Sequence, residues 1–194
     1  MQIKSAEFLT SVADISQLPE KKQEIAIAGK SNVGKSSFIN FLCNNKKLAK
    51  TSKAPGRTRL LNYFDCNKGE FTLVDLPGYG YARVSFDEKR KWSKLLEEYF
   101  EKSKNLKHIF VIVDIRHNPT NDDIDLINYF YYYNIAFSVI ATKSDKLSRA
   151  ASNKRKAELA ASLKIGVDDI ILVSSLKKTG KEDVLKKISQ IIQT

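Results

Sequence analysis

The residues best suited to binding phosphate lie in the run GKSNVGKS, from Gly29 to Ser36. The apolar run EIAIA precedes it and the amphipathic run KSSFINFLC follows it, as a strand and a helix do around a phosphate-binding loop (P-loop). Glycines let successive backbone N–H groups turn toward a phosphate, and the helix N-terminus adds partial positive charge. We predict that Lys35 contacts the β- and γ-phosphates of a nucleotide and that the Ser36 hydroxyl binds Mg²⁺. The residues expected around the phosphates are Gly29, Lys30, Ser31, Asn32, Val33, Gly34, Lys35, Ser36 and Ser37.

A second run, DLPG, begins at the last residue of the apolar strand pattern FTLVD. This position places Asp75 beside Mg²⁺, outside its direct ligands, and lets the Gly78 N–H reach a γ-phosphate. A plain strand-ending turn is the alternative, and the P-loop makes it the weaker one. The residues assigned to this turn are Asp75, Leu76, Pro77 and Gly78.

A nucleotide base is expected beside the run TKSD, which begins at the end of the apolar pattern IAFSVIAT. The Asp145 carboxylate can accept hydrogen bonds from N1–H and from the N2 amino group of guanine, and adenine offers neither donor. The stem of Lys143 would pack over the base, and main-chain N–H groups after the run DIILV would support it. The base-side residues are Thr142, Lys143, Ser144, Asp145, Ser174, Ser175 and Leu176.

The loop of residues 50–59 follows the P-loop helix and contains two threonines. A threonine here can bind Mg²⁺ through its hydroxyl and the γ-phosphate through its N–H, so that the loop orders with GTP. Thr58 is favoured over Thr51 because it lies immediately before the next strand, and an ordinary solvated loop is the alternative. The loop residues assigned to the site are Gly56, Arg57, Thr58, Arg59 and Leu60. The residues predicted at the metal site are Ser36 and Thr58, as direct ligands, and Asp75, beside the ion, and the residues expected at the reacting phosphate are Lys35, Thr58 and Gly78.

These motifs require a scaffold in which strands and helices alternate. Strand patterns cover Glu24–Ala28, Leu60–Phe64, Phe71–Asp75, His108–Asp114, Ile135–Thr142 and Ile170–Ser174. Helix patterns cover Lys35–Cys43, Asp87–Lys102, Asn121–Tyr132, Ser148–Leu163 and Lys181–Ile192. The alternation predicts an α/β fold with three layers, a mostly parallel sheet with one antiparallel edge hairpin and helices on both faces. Residues 1–23 form an N-terminal extension in which Ala6–Ser11 could add an edge strand. Leu96 and Tyr99 are expected in the core. The tyrosine run 131–133 is expected to pack, with a stacking surface for RNA as the alternative.

The composition fits one globular domain, 1–194, with a strong positive charge. Hydrophobic residues make up 42% and charged residues 28%, and the net charge is +11. This charge indicates an acidic partner, most often nucleic acid, although an anionic membrane surface would also fit. Cys43 and Cys66 argue against a disulfide framework, and the chain has no signal-like or membrane-spanning apolar run. We expect a cytoplasmic protein.

Together the motifs resemble those of one family of bacterial GTPases. The runs GKSNVGKSS, PGRTR, DLPGYGYA, TKSD and SSLKKTG are similar to those of the EngB (YihA/YsxC) group, within the TrmE–Era–EngA–EngB–septin-like P-loop GTPases. The resemblance extends from Ala6 to the last helix, and its most specific element is DLPGYGYA, at Asp75–Ala82. It implies a Ras-like domain that hydrolyses GTP as a molecular switch. It also implies a monomer that acts in assembly of the large ribosomal subunit, with rRNA and ribosomal proteins as partners and no membrane partner.

Tyr79 follows Gly78, where many switch GTPases carry a glutamine that orients the attacking water. A phenol cannot make that contact, so the isolated protein is expected to hydrolyse GTP slowly. A partner could supply the missing group, or K⁺ could lie beside the phosphates. Asn32 matches an asparagine that resembles the K⁺ ligand of related GTPases, with a loop-stabilising side chain as the alternative.

Two other functions compete with this interpretation. A P-loop kinase for small molecules is disfavoured by TKSD, by the DLPG turn and by the lack of an arginine-rich lid. A filament-forming or cell-division-associated GTPase, like the septins, is disfavoured by the lack of coiled-coil heptads. Basic residues such as Lys53, Arg57 and Arg59 crowd the loop beside the expected nucleotide, which favours contact with RNA.

Overall fold

The computed structural model describes residues 1–14, 16, 23–49, 60–80 and 86–193, without the side chains of 86–92. In these residues the strands are β1 (Ala6–Val12), β2 (Glu24–Gly29), β3 (Leu61–Cys66), β4 (Phe71–Asp75), β5 (Leu106–Asp114), β6 (Phe137–Thr142) and β7 (Ile170–Leu172). The α-helices are α1 (Lys35–Leu42), α2 (Phe86–Lys102), α3 (Asn121–Tyr132), α4 (Arg149–Leu163) and α5 (Lys181–Ile192). The predicted alternation of strands and helices is confirmed.

The described strands form one sheet in the order β1-β3-β4-β2-β5-β6-β7. β3 runs antiparallel to both β1 and β4, and the other neighbouring strands are parallel. The predicted α/β fold and the β3–β4 hairpin are therefore confirmed. The possible strand at Ala6–Ser11 is also confirmed, since β1 pairs along β3 and becomes the sheet edge in place of the hairpin.

Helices cover both faces of the sheet because its central strands are apolar on both sides. β2 is buried along its whole length, with Ile25 and Ile27 packed in the core beside α1 and α5. Ala26 and Ala28 face the opposite core, which α2, α3 and α4 cover. These three layers bring the carboxyl ends of the parallel strands to one edge, the usual place for a ligand in such a sheet.

Two strands are shorter than their sequence patterns. β6 begins at Phe137 because Ile135 completes the end of α3, where its N–H donates to the Phe130 carbonyl at 2.9 Å. β7 ends at Leu172, and Ser174 instead exchanges two backbone hydrogen bonds of 3.1 Å with Thr179. Residues after Leu172 thus form a tight loop beside the predicted base site.

The aromatic residues at the end of α3 correct one prediction. Leu96 and Tyr99 are buried, as expected, but Tyr131, Tyr132 and Tyr133 are 52%, 79% and 50% exposed. The face of α3 that meets the sheet is already filled by Ile127 and Phe130, so the following tyrosines point outward. Among the described helices, none is long and apolar enough to cross a membrane.

Candidate functional site

The P-loop, Gly29–Ser36, lies between β2 and α1 as the sequence predicts. Gly34 precedes the first turn of α1 with a φ of 113°, a conformation that residues with a side chain rarely adopt. The Val33 N–H donates to the Lys30 carbonyl at 3.2 Å, which closes the loop upon itself. The Thr142 hydroxyl, from the end of β6, lies 3.3 Å from the Val33 carbonyl and so connects the P-loop to the base side.

Lys35 and Asp75 place opposite charges beside the P-loop. Burial lowers the pKa of Lys35, and the charge of Asp75 opposes this effect. The Lys35 ammonium donates to the Gly29 carbonyl at 3.3 Å. Burial raises the pKa of Asp75 to about 6, against the opposing effect of Lys35. A phosphate would give the lysine a partner of the right charge, as the sequence motif predicts.

The same corner fits a hydrated Mg²⁺ ion. Oδ1 of Asp75 is buried, and no group in the described part of the chain donates a hydrogen bond to it. A buried acceptor without a donor is costly, and a water molecule bound to Mg²⁺ would satisfy it. Ser36 stands at the second position of α1 and remains half-buried. The residues are thus arranged to hold the metal on the Ser36 and Asp75 side of the P-loop.

The DLPG turn, Asp75–Gly78, packs directly against the P-loop. The Ser31 N–H donates to the Tyr79 carbonyl at 3.0 Å, which continues the parallel pairing of β2 with β4. A Cβ atom on Gly78 would lie 2.7 Å from the Ser31 hydroxyl and 3.0 Å from the Lys35 ammonium. A side chain here would displace both of these groups and press on the Ser31 Cα atom, 3.1 Å away, so glycine suits this close approach. Gly78 therefore lies beside the residues predicted to hold the γ-phosphate.

Tyr79 does not offer its hydroxyl to the phosphate side. Its ring is buried, and the phenol donates to Oδ1 of Asp123 at 2.7 Å. Burial first, and then the charge of Asp123, raises the pKa of Tyr79 well above its usual range. The residue after Gly78 therefore anchors the turn to α3, a role that the sequence pattern did not indicate.

The predicted base side is assembled from the loops after β6 and β7. The Ser174 hydroxyl donates to Oδ1 of Asp145 at 2.6 Å and accepts the Lys177 N–H at 2.9 Å. This bond from Ser174 lowers the pKa of Asp145. The Ser144 N–H donates to the Val173 carbonyl at 3.2 Å, which joins the two loops. The arrangement presents an ionised carboxylate, the acceptor that guanine N1–H and N2 require.

Other residues predicted for the nucleotide site are exposed or half-buried, or lie outside the described residues. Leu176 is 71% exposed and Ser175 is half-buried in the loop after β7. Asn32 is exposed at the P-loop apex with a φ of 63°, in the left-handed region that asparagine tolerates. Leu60 is half-buried just before β3, whereas Gly56, Arg57, Thr58 and Arg59 lie outside the described residues.

Sequence reasoning assigned no site role to Asp114 and Arg116, which lie beside Lys143. Asp114 accepts hydrogen bonds from the Arg116 guanidinium at 2.9 and 2.7 Å and from the Lys143 ammonium at 2.8 Å. The sequence signal was an acidic residue at the end of an apolar strand, two positions before an arginine, in the run DIRHNP that also resembles the EngB group. That pattern does not reveal which lysine from another strand will meet the carboxylate.

Sequence comparison places the chain among known GTPases. The family described as 50S ribosome-binding GTPase matches residues 24–143. A protein of Caldanaerobacter subterraneus named "Probable GTP-binding protein EngB" is 44% identical over 194 residues, covering 100% of both chains. A protein of Clostridium kluyveri with the same name is 47% identical, covering 99% of this chain and 98% of its own.

Solved structures show the same fold. A crystal structure titled as a probable GTP-binding protein EngB superimposes with a TM-score of 0.71 at 21% identity, covering 88% of this chain and 98% of the other. The Era protein of Aquifex aeolicus, bound to GDP and AlF₄⁻, gives a TM-score of 0.65 at 18% identity, covering 87% and 56%. The sequence matches, which span the P-loop, the DLPG turn and the start of TKSD, show that the chain belongs to the EngB family of P-loop GTP-binding proteins.

Proposed function

We propose that this GTPase is a cytoplasmic switch that binds the large ribosomal subunit, or its precursor, in the GTP state and leaves after hydrolysis. The switch and the ribosomal partner are supported by different observations. The arrangement of the DLPG turn supports the switch, and the charge of the chain together with its family supports the ribosomal partner. Hydrolysis then limits how long the protein remains bound during subunit assembly.

The contact between Gly78 and the P-loop carries the switch proposal. Gly78 is so close to Ser31 and Lys35 that even a methyl group would collide with them. A γ-phosphate is expected to contact Lys35 and the Gly78 N–H, so its arrival or loss acts on this contact directly. The next residue, Tyr79, is bonded to Asp123 at the start of α3. Movement of the turn would therefore displace the start of α3, which packs on one face of the sheet.

The residues of the phosphate side have separate tasks in hydrolysis. Lys35 binds the β- and γ-phosphate oxygens. Ser36 and Thr58 would hold Mg²⁺, with Asp75 beside the ion, and the metal would neutralise charge on those oxygens. The Gly78 N–H orients the γ-phosphate. With the Tyr79 hydroxyl engaged by Asp123, we expect intrinsic hydrolysis on the order of 10⁻³ s⁻¹ or slower, as in unassisted switch GTPases. A ribosomal partner or K⁺ would supply the missing stabilisation.

The charge of the chain supports a partner rich in phosphate groups. The net charge is +11, and the loop before β3 contributes Lys53, Arg57 and Arg59. The matching family is described as 50S ribosome-binding GTPase, which supports the large subunit as the proposed partner. Contacts between basic side chains and RNA phosphates release counterions, so affinity should fall as salt rises.

Co-sedimentation with purified large ribosomal subunits, over a series of KCl concentrations, tests the ribosomal part of the proposal. We expect the protein with a non-hydrolysable GTP analogue to sediment with the subunit at low salt and to dissociate steeply as salt rises. The double variant Arg57→Ala/Arg59→Ala should bind more weakly and with a flatter salt dependence. The matched control is Lys156→Ala/Lys164→Ala, which removes the same charge from α4 and the residue after it. No co-sedimentation, or binding unaffected by salt, would contradict the proposal.

A further inference from the structure

The ammonium group of Lys143 is held by a carboxylate from the neighbouring strand. We propose that this carboxylate, Asp114, is a positioning residue for the guanine base, acting through Lys143. The proposal rests on guanine binding at the TKSD segment, but it concerns a residue outside every nucleotide-binding motif found in the sequence. It explains why an acidic side chain ends β5 beside a site whose ligand is itself negatively charged.

The strand register brings the two residues together. Asp114 is the last residue of β5 and pairs with Thr142, the last residue of β6. Lys143 follows immediately and takes a left-handed conformation, with a φ of 61°. The Ile115 N–H, one residue beyond β5, donates to the carbonyl of Thr142 at 3.1 Å, so the backbone pairing extends to the very end of β6. The Lys143 side chain is thereby directed to Asp114, where Nζ lies 2.8 Å from Oδ2.

Asp114 is itself fixed from a second side. The Arg116 guanidinium donates through Nε to Oδ1 at 2.9 Å and through Nη2 to Oδ2 at 2.7 Å, and the Arg116 backbone N–H adds a bond of 3.1 Å to Oδ1. Such a two-pronged contact fixes the carboxylate plane as well as its position. The Asp114 side chain is only 9% exposed, so water competes weakly for these bonds. Oδ2 therefore receives the lysine at a defined point.

The charges at this corner balance one another. Burial alone would raise the pKa of Asp114, but the hydrogen bonds from Arg116 and Lys143 hold it well below its usual range. The carboxylate is therefore ionised at neutral pH. Arg116 is bonded to Asp114 and also feels the charge of Asp145, which lies on the base side. Opposite charges are thus adjacent near the site predicted for the base, where Lys146 also lies 3.7 Å from Oδ2 of Asp145.

A fixed ammonium turns the lysine stem into a preformed surface. The Lys143 side chain is 35% exposed, and its four methylene groups can cover an aromatic ring while the charge stays on Asp114. A lysine that is already immobilised loses less conformational entropy when a base packs on it. Asp114→Asn would remove the charge and turn an amide donor toward Arg116 or Lys143, which are both donors. We therefore expect the lysine to become mobile in that variant.

A double-mutant cycle tests this role, with GDP and GTP affinities measured by calorimetry. Asp114→Asn should weaken both nucleotides equally, by about 3- to 10-fold, the cost of immobilising one long side chain. Lys143→Met keeps the stem but has no ammonium for Asp114 to hold. In the Lys143→Met background, Asp114→Asn should therefore cause no further loss. Arg116→Gln, which leaves the Asp114 charge in place, should give a smaller loss that also disappears in that background.

The controls separate positioning from a general structural effect. Glu158→Gln breaks the 2.8 Å pair between Arg155 and Glu158 on α4 and does not touch Asp114, so affinity should be unchanged. An equal loss from Asp114→Asn in both backgrounds, or no loss in either, would overturn the proposal. If Asp114→Asn does not fold, the Arg116→Gln cycle gives the same decision. Failure of the wild-type protein to prefer GDP over ADP would instead contradict guanine binding itself.

Discussion

The phenol hydroxyl of Tyr79 donates a hydrogen bond of 2.7 Å to Oδ1 of Asp123, and both side chains are buried. The second oxygen of Asp123 accepts the Thr120 N–H at 2.7 Å and the Thr120 hydroxyl at 2.8 Å. One carboxylate therefore joins the turn after β4 to the start of α3. The turn that is predicted to contact the γ-phosphate is thus attached to a helix on the sheet surface.

Replacing Tyr79 by phenylalanine removes the hydroxyl that makes this bond and keeps the ring. We expect Tyr79→Phe to lower the free energy of unfolding by about 1.5–3 kcal/mol, because a buried hydrogen bond to a charged acceptor is lost. Urea denaturation of the nucleotide-free protein measures the change. Tyr132→Phe removes the same hydroxyl from a side chain that is 79% exposed, and should change stability by less than about 0.5 kcal/mol. Equal losses in the two variants would contradict a specific role for the Tyr79 bond.

Asp145→Asn should change the base preference. The carboxylate accepts two guanine donors, so its loss should weaken GDP on the order of 100-fold or more, at about 1.5–3 kcal/mol for each bond to a charged group. The asparagine amide can donate to the C2 carbonyl oxygen of xanthine, so xanthosine diphosphate should bind the variant better than GDP. Asp168→Asn, at an exposed acidic residue, is the matched control and should leave the preference for guanine intact. Calorimetry with GDP, ADP and xanthosine diphosphate decides the matter, and wild-type protein that binds ADP as tightly as GDP would refute this assignment.

The exposed asparagine at the P-loop apex predicts a response to monovalent cations. If Asn32 binds K⁺ beside the phosphates, exchange of Na⁺ for K⁺ should raise the rate of GTP hydrolysis, and Asn32→Ala should abolish the increase. Single-turnover phosphate release at constant ionic strength measures both rates. Asn44→Ala, at an asparagine with a similar φ of 52°, should keep the response to K⁺. A wild-type rate that is the same in both salts would leave partner-assisted hydrolysis as the route.

His108 predicts a pH dependence of stability. Burial, aided by the charge of Lys187, lowers the pKa of His108 from 6.5 to about 4, and its ring lies 3.0 Å from the Ser138 hydroxyl. In the unfolded chain His108 is protonated below about pH 6.5, whereas in the folded protein it stays neutral until about pH 4. Stability is therefore lost as pH falls through this window, by about 2–3 kcal/mol between pH 7 and 4.5.

His108→Gln isolates this effect, because glutamine can keep a hydrogen bond to Ser138 but does not titrate. We expect the wild-type protein to lose about 2–3 kcal/mol more than the variant between pH 7 and 4.5, as measured by urea denaturation. All other titrating groups are common to both proteins. Parallel stability curves over this range would show that His108 does not carry the effect.

The sequence predicted the parts of this molecule that depend on local pattern. The four residues before Gly29 are all apolar, as in a strand buried on both faces. The position of β2 and of the loop after it could therefore be predicted from residue types alone. Boundaries were less accurate where a turn competes with a strand, as at Ile135. The exposure of Tyr132 could not be predicted, because it depends on how much of α3 the sheet covers.

Contacts between distant segments account for what the sequence could not predict at the site. The Tyr79–Asp123 bond joins residues 44 positions apart, and the Lys143–Asp114 bond joins residues 29 apart. The spacing of these residues along the sequence gives no sign that the members of either pair will meet. Only the strand order and register decide which of these residues meet.

Binding to the large ribosomal subunit in the two nucleotide states tests the switch most directly. A γ-phosphate should draw Thr58 to Mg²⁺ and so fix the basic residues of its loop, which we expect to raise affinity 5- to 100-fold, a coupling of about 1–3 kcal/mol. Thr58→Ala should shrink this difference and leave GDP affinity nearly unchanged, whereas Thr51→Ala, the matched control, should preserve it. The measurement is co-sedimentation with a non-hydrolysable GTP analogue and with GDP, at one fixed salt concentration. The account predicts tighter binding with the analogue, and equal binding in the two states would contradict it.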